Sequence, residues 1–225
     1  MTEQSASRSR ATELALDKAY ATDGPEANRE LYAEWAVTYE SGFVVDSGYV
    51  YHRQVAEVFC EGFASLDQPV LDVGCGTGVV GGELAKLGVS VIDGIDLSPE
   101  MLAEAGAKTN DGRTLYRQLF EADLTASTEL ADHAYAGIVS AGAFTHGIFG
   151  PETISELLRV ARPGARFALG INSAHFDKVG FGDWLEQRQL NGLIGGLRFD
   201  LRPIYERADE ADPDQWTRIA VFTAA

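Results

Sequence analysis

The feature that most constrains the fold is a run of glycines that directly follows an apolar segment. The segment 69–73 leads into Gly74-Cys75-Gly76-Thr77-Gly78, and a helical pattern continues through Leu84 and Leu87. Glycines let the backbone turn tightly and let a ligand approach without a Cβ in the way, and the helix beyond them presents free N–H groups. The spacing is not Gly-x-Gly-x-x-Gly, and it lacks the Gly-Lys-Ser/Thr end of a P-loop. Alone, the run is compatible with a ligand-binding turn or with a plain tight connection between a strand and a helix.

Short apolar runs alternate with helical patterns over the following residues. The runs that we interpret as further strands are 89–95, 115–120, 136–141 and 165–171. Ser98-Pro99-Glu100 starts a helix, because it offers a serine cap, a proline in the first turn and an acid near the positive end of the dipole. Another helix is predicted over 153–161 and is ended by Pro163-Gly164. This alternation predicts an α/β fold, with a doubly wound, mostly parallel sheet covered by helices on both faces.

The end of the sequence departs from that alternation. Segments 197–205 and 216–222 are predicted to be strands joined by a polar loop, which indicates an antiparallel hairpin that closes the sheet. Pro203 cannot donate a hydrogen bond to a strand ladder, so we place the first of these strands at the edge.

Composition narrows the class of protein and of partner. The 225 residues predict one large domain with extra elements, and a net charge of −16 makes nucleic acid or an anionic membrane a poor partner. No apolar run reaches ~18 residues, so we expect no membrane helix, and the N-terminus has no leader-like apolar block. With Cys60 and Cys75 as the only cysteines, neither a disulfide framework nor a zinc motif is expected, which favours a reducing, cytoplasmic compartment.

Three acids follow the glycine run. Asp96 ends the second predicted strand, where a carboxylate can accept hydrogen bonds from the two hydroxyls of a ribose. Asp93 lies inside that strand, and we interpret it as a polar residue of a loop or of a sheet face. Asp123 follows the third strand and is either a ligand for a purine amine or a solvated loop residue.

Four motifs in order resemble those of the class I S-adenosylmethionine-dependent methyltransferases, in particular the small-molecule members. They are 70–78 (VLDVGCGTG), 95–102 (IDLSPEML), 121–124 (EADL) and 158–164 (LRVARPG). The resemblance implies a seven-stranded sheet whose last strand is antiparallel, and S-adenosyl-L-methionine as the cofactor. It also implies the cofactor-binding residues, namely Asp72, Gly74, Gly76, Gly78, Asp96, Leu97, Met101, Asp123, Leu124, Ser140 and Ala141.

An aromatic segment precedes the glycine run. Residues 31–40 resemble the lid of small-molecule relatives, in which Tyr32, Trp35 and Tyr39 would cover the cofactor. The alternative is a plain amphipathic helix packed on the sheet. We therefore expect residues 1–66 to form an N-terminal helical segment and lid within the same domain, and residues 67–225 to form the cofactor-binding part.

Methyl transfer to a protonated acceptor needs a general base. His146, just beyond the fourth predicted strand, is the leading candidate, and the alternative is a histidine that only orders its loop. His175 is the second candidate, and Tyr39 could instead orient an acceptor. Aromatic residues in the segments 38–51, 144–149 and 175–184 together predict a small, partly apolar substrate, although for each of them taken singly packing in the core is the preferred explanation.

Other classes stay open on the sequence alone. A non-catalytic protein that binds S-adenosylmethionine would carry the same motifs. A nicotinamide-dependent oxidoreductase shares the strand, turn and acid, but the glycine spacing and the Leu-Ser-Pro-Glu after Asp96 count against it. An aminopropyl transferase or a nucleic-acid methyltransferase is a weaker alternative, the latter because of the charge.

Overall fold

The computed structural model describes residues 29, 31, 33, 36, 39–63, 65–145 and 148–225. Three residues of the predicted site, Tyr32, Trp35 and His146, lie outside the described residues.

The core of the fold is a seven-stranded sheet. Its strands are β1 (Val70–Val73), β2 (Ile92–Asp96), β5 (Gln118–Glu121), β6 (Tyr135–Phe144), β7 (Ala161–Asn172), β8 (Ile194–Pro203) and β9 (Trp216–Ala224). Two further strands, β3 (Thr109–Asn110) and β4 (Arg113–Thr114), form a separate small hairpin that the sequence did not predict. The order β5-β2-β1-β6-β7-β9-β8 confirms the predicted sheet.

The direction of the strands creates a crevice beside β1. The chain runs outward from β1 through β2 to β5, and it then crosses back to place β6 on the other side of β1. The pairs β1–β2, β1–β6, β2–β5 and β6–β7 are parallel, whereas β9 is antiparallel to β7 and to β8. Ligands bind in open α/β sheets where the strand order reverses, outside the carboxyl ends of the strands. The ends of β1, β2 and β6 therefore position the candidate site.

Helices cover both faces of the sheet. They are α1 (Tyr51–Cys60), α2 (Val79–Lys86), α3 (Pro99–Ala107), α4 (Thr153–Val160), α5 (Ser173–Val179) and α6 (Phe181–Leu190). One buried cluster joins the sheet to α1, α2 and α3 through residues such as Phe59 and Leu84. A second cluster joins the other face to α4, α5 and α6 through residues such as Leu157 and Phe181. Both faces of β1 are buried, which explains why all of its residues except Asp72 are apolar.

One local expectation differs from the structure. Helix α4 ends at Val160, and β7 begins at once, so Pro163-Gly164 does not end the helix but lies inside the strand. The register shifts there between the pairs Tyr135–Ala161 and Gly137–Arg166, and Gly164 takes a φ of 78°. Extra residues in a strand form a bulge, and a glycine accepts the positive φ that such a bend needs.

The C-terminal hairpin is confirmed. β8 is the edge strand, and Pro203 is its last residue, paired with Trp216 of β9. The longest helices in the described part of the chain have ten residues, and none is long and apolar enough to cross a membrane.

Candidate cofactor and acceptor site

The glycine run forms a tight loop between β1 and α2. Gly74, Gly76 and Gly78 all have positive φ values, of 62°, 52° and 89°. The N–H groups of Gly74 and Cys75 both donate to the carbonyl oxygen of Ile95, at 2.9 and 3.1 Å, which ties the loop to the end of β2. Residues with a Cβ rarely adopt this conformation, so the glycines are required by the path of the backbone.

The loop is pressed against the end of β6. A Cβ built on Gly74 would lie 2.6 Å from the Cβ of Ala143, well inside van der Waals contact. A Cβ on Gly76 would meet no heavy atom within 4 Å. Gly76 thus borders open space, and that space is a cavity lined by the loop and by the ends of β2 and β6.

Asp96 closes the cavity at the end of β2. One carboxylate oxygen accepts a hydrogen bond of 2.8 Å from the N–H of Gly76, and the other accepts one of 2.9 Å from the N–H of Ser98. Burial raises the pKa of the Asp96 carboxyl above its ordinary value, and these backbone N–H groups act in the opposite direction. Asp96 therefore joins the glycine loop to the start of α3 and still borders the cavity.

Asp93, the other acid of β2, binds side chains of the protein and does not border the cavity. Its buried carboxylate accepts hydrogen bonds from Arg117 Nε at 2.9 Å, from Arg117 Nη2 at 2.5 Å and from the Tyr135 hydroxyl at 3.1 Å. It lies on a sheet face, as one of the two interpretations from sequence held, and does not line the cavity.

The opposite wall consists of α3 and the segment after β5. Leu97, Met101 and Leu124 contribute apolar side chains. Asp123 also lines the cavity, and one of its oxygens accepts hydrogen bonds from the N–H and the hydroxyl of Thr125, at 2.8 and 2.6 Å. The Asp123 carboxylate is therefore held in a fixed orientation at the cavity edge.

Three residues named from the resemblance lie behind the cavity wall. Gly78 ends the glycine loop on the side of α2, Asp72 belongs to β1, and the Ser140 hydroxyl donates to the Val73 carbonyl at 2.8 Å, which joins β6 to β1. Its neighbour Ala141 does line the cavity. None of the three meets the cavity directly, so their effect on a ligand passes through the loop.

Asp72 and Tyr116 form a buried pair beneath the loop. The Tyr116 hydroxyl donates to Asp72 Oδ2 at 2.7 Å, and the N–H of Gly81 in α2 donates to the same oxygen at 3.1 Å. The other oxygen, Oδ1, is buried and has no hydrogen-bond partner in the part of the chain that the structure describes. Burial raises the pKa of Asp72 to about 7, against the effect of the two donors. The ring of Tyr116 fills the space beside Gly78, Gly81 and Gly94, where a Cβ would lie within 3.1 Å of it.

Aromatic side chains border the end of the cavity nearest β6. Tyr39, Tyr49 and Phe149 line it, whereas no described residue of 175–184 does. The Tyr49 hydroxyl lies 3.1 Å from the position that a Cβ on Gly142 would take, and Phe43 packs between the rings of Tyr39 and Tyr49, with centroids 5.3 Å from each.

The other aromatic residues of the three segments serve in packing. Phe144 and Phe181 are fully buried, Tyr51 accepts a hydrogen bond from Thr217, and Trp184 stacks with Arg188. His175 is buried, with its Nε2 2.9 Å from the Phe149 carbonyl, and it is not part of the cavity wall. His175, the second candidate for the general base, therefore lies behind Phe149 and does not reach the cavity.

Thr77 is a cavity residue that the sequence analysis did not single out. Its hydroxyl is buried and has no hydrogen-bond partner among the described residues. A buried hydroxyl of this kind costs free energy unless something bonds to it, so it suits a polar atom of a ligand. The position of Thr77 between Gly76 and Gly78 is the one sequence feature that could have indicated a role in the site. Arg29, which also lines the cavity and lies 3.5 Å from Glu121, gave no such signal.

The sequence matches known proteins over the part that builds this cavity. Residues 70–164 match a family described as a methyltransferase domain. The chain is 28% identical over 102 residues to the methyltransferase phqN of Penicillium fellutanum, covering 45% of this chain and 31% of that protein. It is 30% identical over 121 residues to the O-methyltransferase resE of Aspergillus sclerotiorum, covering 52% of this chain and 44% of that protein. The match spans less than half the length of either relative.

The fold is similar to that of a magnesium protoporphyrin IX methyltransferase from Synechocystis, solved with bound SAH. The TM-score is 0.62 at 17% identity, over 95% of this chain and 99% of that one, and at this identity the likeness concerns the fold alone. The domain match, the ordered motifs and the sheet agree with one another. Residues 70–164 of the chain therefore form a methyltransferase domain, on a fold that solved S-adenosylmethionine-dependent methyltransferases share.

Proposed function

We propose that this protein transfers the methyl group of S-adenosylmethionine to a small, partly apolar acceptor. The observation that carries the proposal is one cavity with two unlike groups of lining residues, the glycine loop with Asp96 and the aromatic residues Tyr39, Tyr49 and Phe149. The first group suits a polar cofactor, and the second suits an acceptor with a flat or apolar body.

The cavity residues fit the cofactor in their chemistry. Asp96 would accept hydrogen bonds from the ribose hydroxyls, Leu97 and Met101 would flank the adenine, and Asp123 and Leu124 would meet its polar edge. The glycine loop would hold the methionine part, where the unpartnered Thr77 hydroxyl offers a hydrogen bond. Asp72 would act indirectly, by fixing the loop through its bond to Gly81.

When bound, S-adenosylmethionine supplies a methyl group that its sulfonium already activates for in-line displacement. The protein then has to align the acceptor and to exclude water. The relative named as an O-methyltransferase supports a hydroxyl acceptor, which must lose a proton as its oxygen attacks.

We assign that proton to His146. Its neighbours in the chain support the position, because Thr145 follows directly on β6 and Ile148 lines the cavity. The N–H of Ile148 donates to the carbonyl of Thr145 at 3.2 Å, so the two described residues that flank 146–147 lie close to each other. The Tyr49 hydroxyl, which lies near Gly142 of β6, would orient the acceptor.

The N-terminal segment is proposed to close over the cofactor as a lid. Two ion pairs support this, since Arg29 lies 3.5 Å from Glu121 at the end of β5, and Glu40 lies 2.6 Å from Lys108 just after α3. These exposed pairs contribute little individually, so aromatic packing of Tyr39 must supply most of the closure.

The test is transfer of a labelled methyl group from S-adenosylmethionine into a panel of small hydroxyl, amine and thiol compounds. We expect incorporation into an apolar or aromatic hydroxyl compound, and a loss of at least 100-fold in kcat for His146→Ala. The matched control is His133→Ala, an exposed histidine at the far end of β6. Tight binding of S-adenosylmethionine without transfer to any class would favour a non-catalytic binding protein.

A further inference from the structure

Exposed apolar side chains are concentrated at one edge of the sheet. The described residues include seven large hydrophobic side chains classed as exposed, and four of them lie between residues 190 and 201: Leu190, Leu193, Phe199 and Leu201. Single exposed apolar residues are ordinary, but a contiguous group marks a surface that binds something. Leu201 is 59% exposed and Phe199 36%, and both belong to the edge strand β8.

The outer side of β8 has no strand partner among the described residues. The N–H of Leu197 donates to the side chain of Gln189 at 2.8 Å and not to β9, and the N–H of Ile204 donates toward β9, to Gln215, at 2.8 Å. N–H groups alternate between the two sides of a strand. The donors of Phe199 and Leu201 therefore face outward, and Pro203, also on that side, has none.

We infer that β8 pairs with β8 of a second copy of this chain, antiparallel and with Phe199 facing Phe199 across a two-fold axis. This register joins the two seven-stranded sheets into one. Phe199 of each copy donates to Phe199 of the other, and Leu201 of each copy donates to the carbonyl of Leu197. Neither bond uses the N–H of Leu197, which already donates to Gln189, and neither requires an N–H from Pro203, which has none.

Cross-strand neighbours favour this register over others. Arg198 lies opposite Asp200 on one face, twice by symmetry, and Leu197 lies opposite Leu201 on the other face. A register centred on Asp200 would place Asp200 opposite Asp200 and Arg198 opposite Arg202, so that it would oppose like charges. One centred on Leu201 would overlap only residues 199–203, because β8 ends at Pro203, whereas the Phe199 register overlaps 195–203, with the register shift of β8 between Gly195 and Arg198 near its end.

The charged side chains of β8 favour self-association at this edge, although the net charge of the chain opposes it elsewhere. The chain carries a net charge of −16, which opposes the approach of two copies over most of the surface. The outer face of β8 carries Arg198, Asp200 and Arg202, and within one chain Arg198 already lies 2.6 Å from Asp200. In the Phe199 register each Arg198 lies opposite an Asp200 of the other copy, and opposite charges across a sheet pair are favourable.

The first experiment measures mass in solution by sedimentation and light scattering across a range of protein concentrations. We expect twice the chain mass for the wild type. Asp200→Arg should raise the dimer dissociation constant by about tenfold or more, because two attractive cross-strand pairs become repulsive. The exchange Arg198→Asp with Asp200→Arg should restore the dimer. Leu201→Lys, at an exposed position, should also weaken it, and titration with S-adenosylhomocysteine reports that each variant is folded, since no residue of β8 lines the cavity.

The second experiment tests the register by cross-linking. Facing residues of a hydrogen-bonded antiparallel pair have Cα atoms about 5.5 Å apart, within the range of a disulfide. Phe199→Cys should therefore form an intermolecular disulfide under mild oxidation. Leu201→Cys is the matched control, because its copies would lie about 14 Å apart along the strand. A wild type that stays monomeric overturns the inference, and so does a dimer that is indifferent to Asp200→Arg and Leu201→Lys, or one that cross-links through Leu201→Cys and not through Phe199→Cys.

Discussion

Replacing Gly74 by alanine tests how the glycine loop is built. The φ of Gly74 is 62°, and an added Cβ would lie 2.6 Å from the Cβ of Ala143. A left-handed backbone conformation costs a residue with a Cβ about 1–2 kcal/mol, and overpacking a close contact costs typically 1–3 kcal/mol more. We therefore expect Gly74→Ala to lower the free energy of unfolding by roughly 2–5 kcal/mol.

Gly76→Ala separates the two contributions. Its φ of 52° imposes the same backbone cost, but an added Cβ meets nothing within 4 Å. The loss of stability should stay near 1–2 kcal/mol. Because Gly76 borders the cavity, the added methyl group should reduce the affinity for S-adenosylhomocysteine as well.

The double variant Gly74→Ala with Ala143→Gly isolates the clash. Once the Ala143 methyl is removed, the next atom is the Ala143 Cα at 3.8 Å, an ordinary contact. A double-mutant cycle in urea should give a favourable coupling of about 1–3 kcal/mol, with ligand affinity measured in parallel by calorimetry. Equal losses for Gly74→Ala and Gly76→Ala, or no recovery in the double variant, would refute the steric explanation.

Three further predictions follow from the buried acids and the lid. Asp93→Ala should cost roughly 1–3 kcal/mol of stability in urea unfolding, because the buried Tyr135 hydroxyl and the Arg117 side chain lose their acceptor, yet leave S-adenosylhomocysteine binding intact; lost binding in a folded variant would contradict this. Because burial raises the pKa of Asp72 to about 7 from an unfolded value near 4, its ionised form destabilises the fold increasingly as the pH rises through that window. Asp72→Asn should therefore gain thermal stability over the wild type at pH 8 and much less at pH 5, and a gain equal at both would show that Asp72 does not titrate there. In limited proteolysis, the first ~45 residues should be cleaved without cofactor and protected with it. Trp35→Ala should weaken cofactor retention more than Trp184→Ala. The same rate of cleavage with and without cofactor would mean that the segment is an ordinary packing helix and not a lid.

Local patterns in the sequence were sufficient for the sheet and for the loop. Apolar runs buried on both faces, the serine and proline that start α3, and the missing donor of Pro203 each express a local rule, and the structure follows them. The placement of Asp96 at the end of its strand also distinguished it from Asp93, three residues earlier. Such features depend on neighbours within a few residues, which is why they could be predicted.

Long-range partnerships could not be predicted in the same way. Asp93 is bonded to Arg117 and Tyr135, which are 24 and 42 residues distant along the chain. Asp72 meets Tyr116 at a separation of 44 residues, and no periodic pattern links two such positions. The short helix α5 and the hairpin β3–β4 were missed because seven and two residues per element carry too little periodicity to recognise.

Titration calorimetry with S-adenosylhomocysteine tests the central claim most directly, because it needs no acceptor. The wild type should bind one equivalent per chain at micromolar affinity, about −8 kcal/mol. Asp96→Ala should lose about 1.5–3 kcal/mol, since a charged acceptor for the ribose hydroxyls disappears, while Asp67→Ala, an exposed acid before β1, should bind as the wild type does. Absence of binding heat in folded wild-type protein, or an Asp96→Ala variant that binds as tightly as the wild type, would contradict the assignment of this cavity to the cofactor.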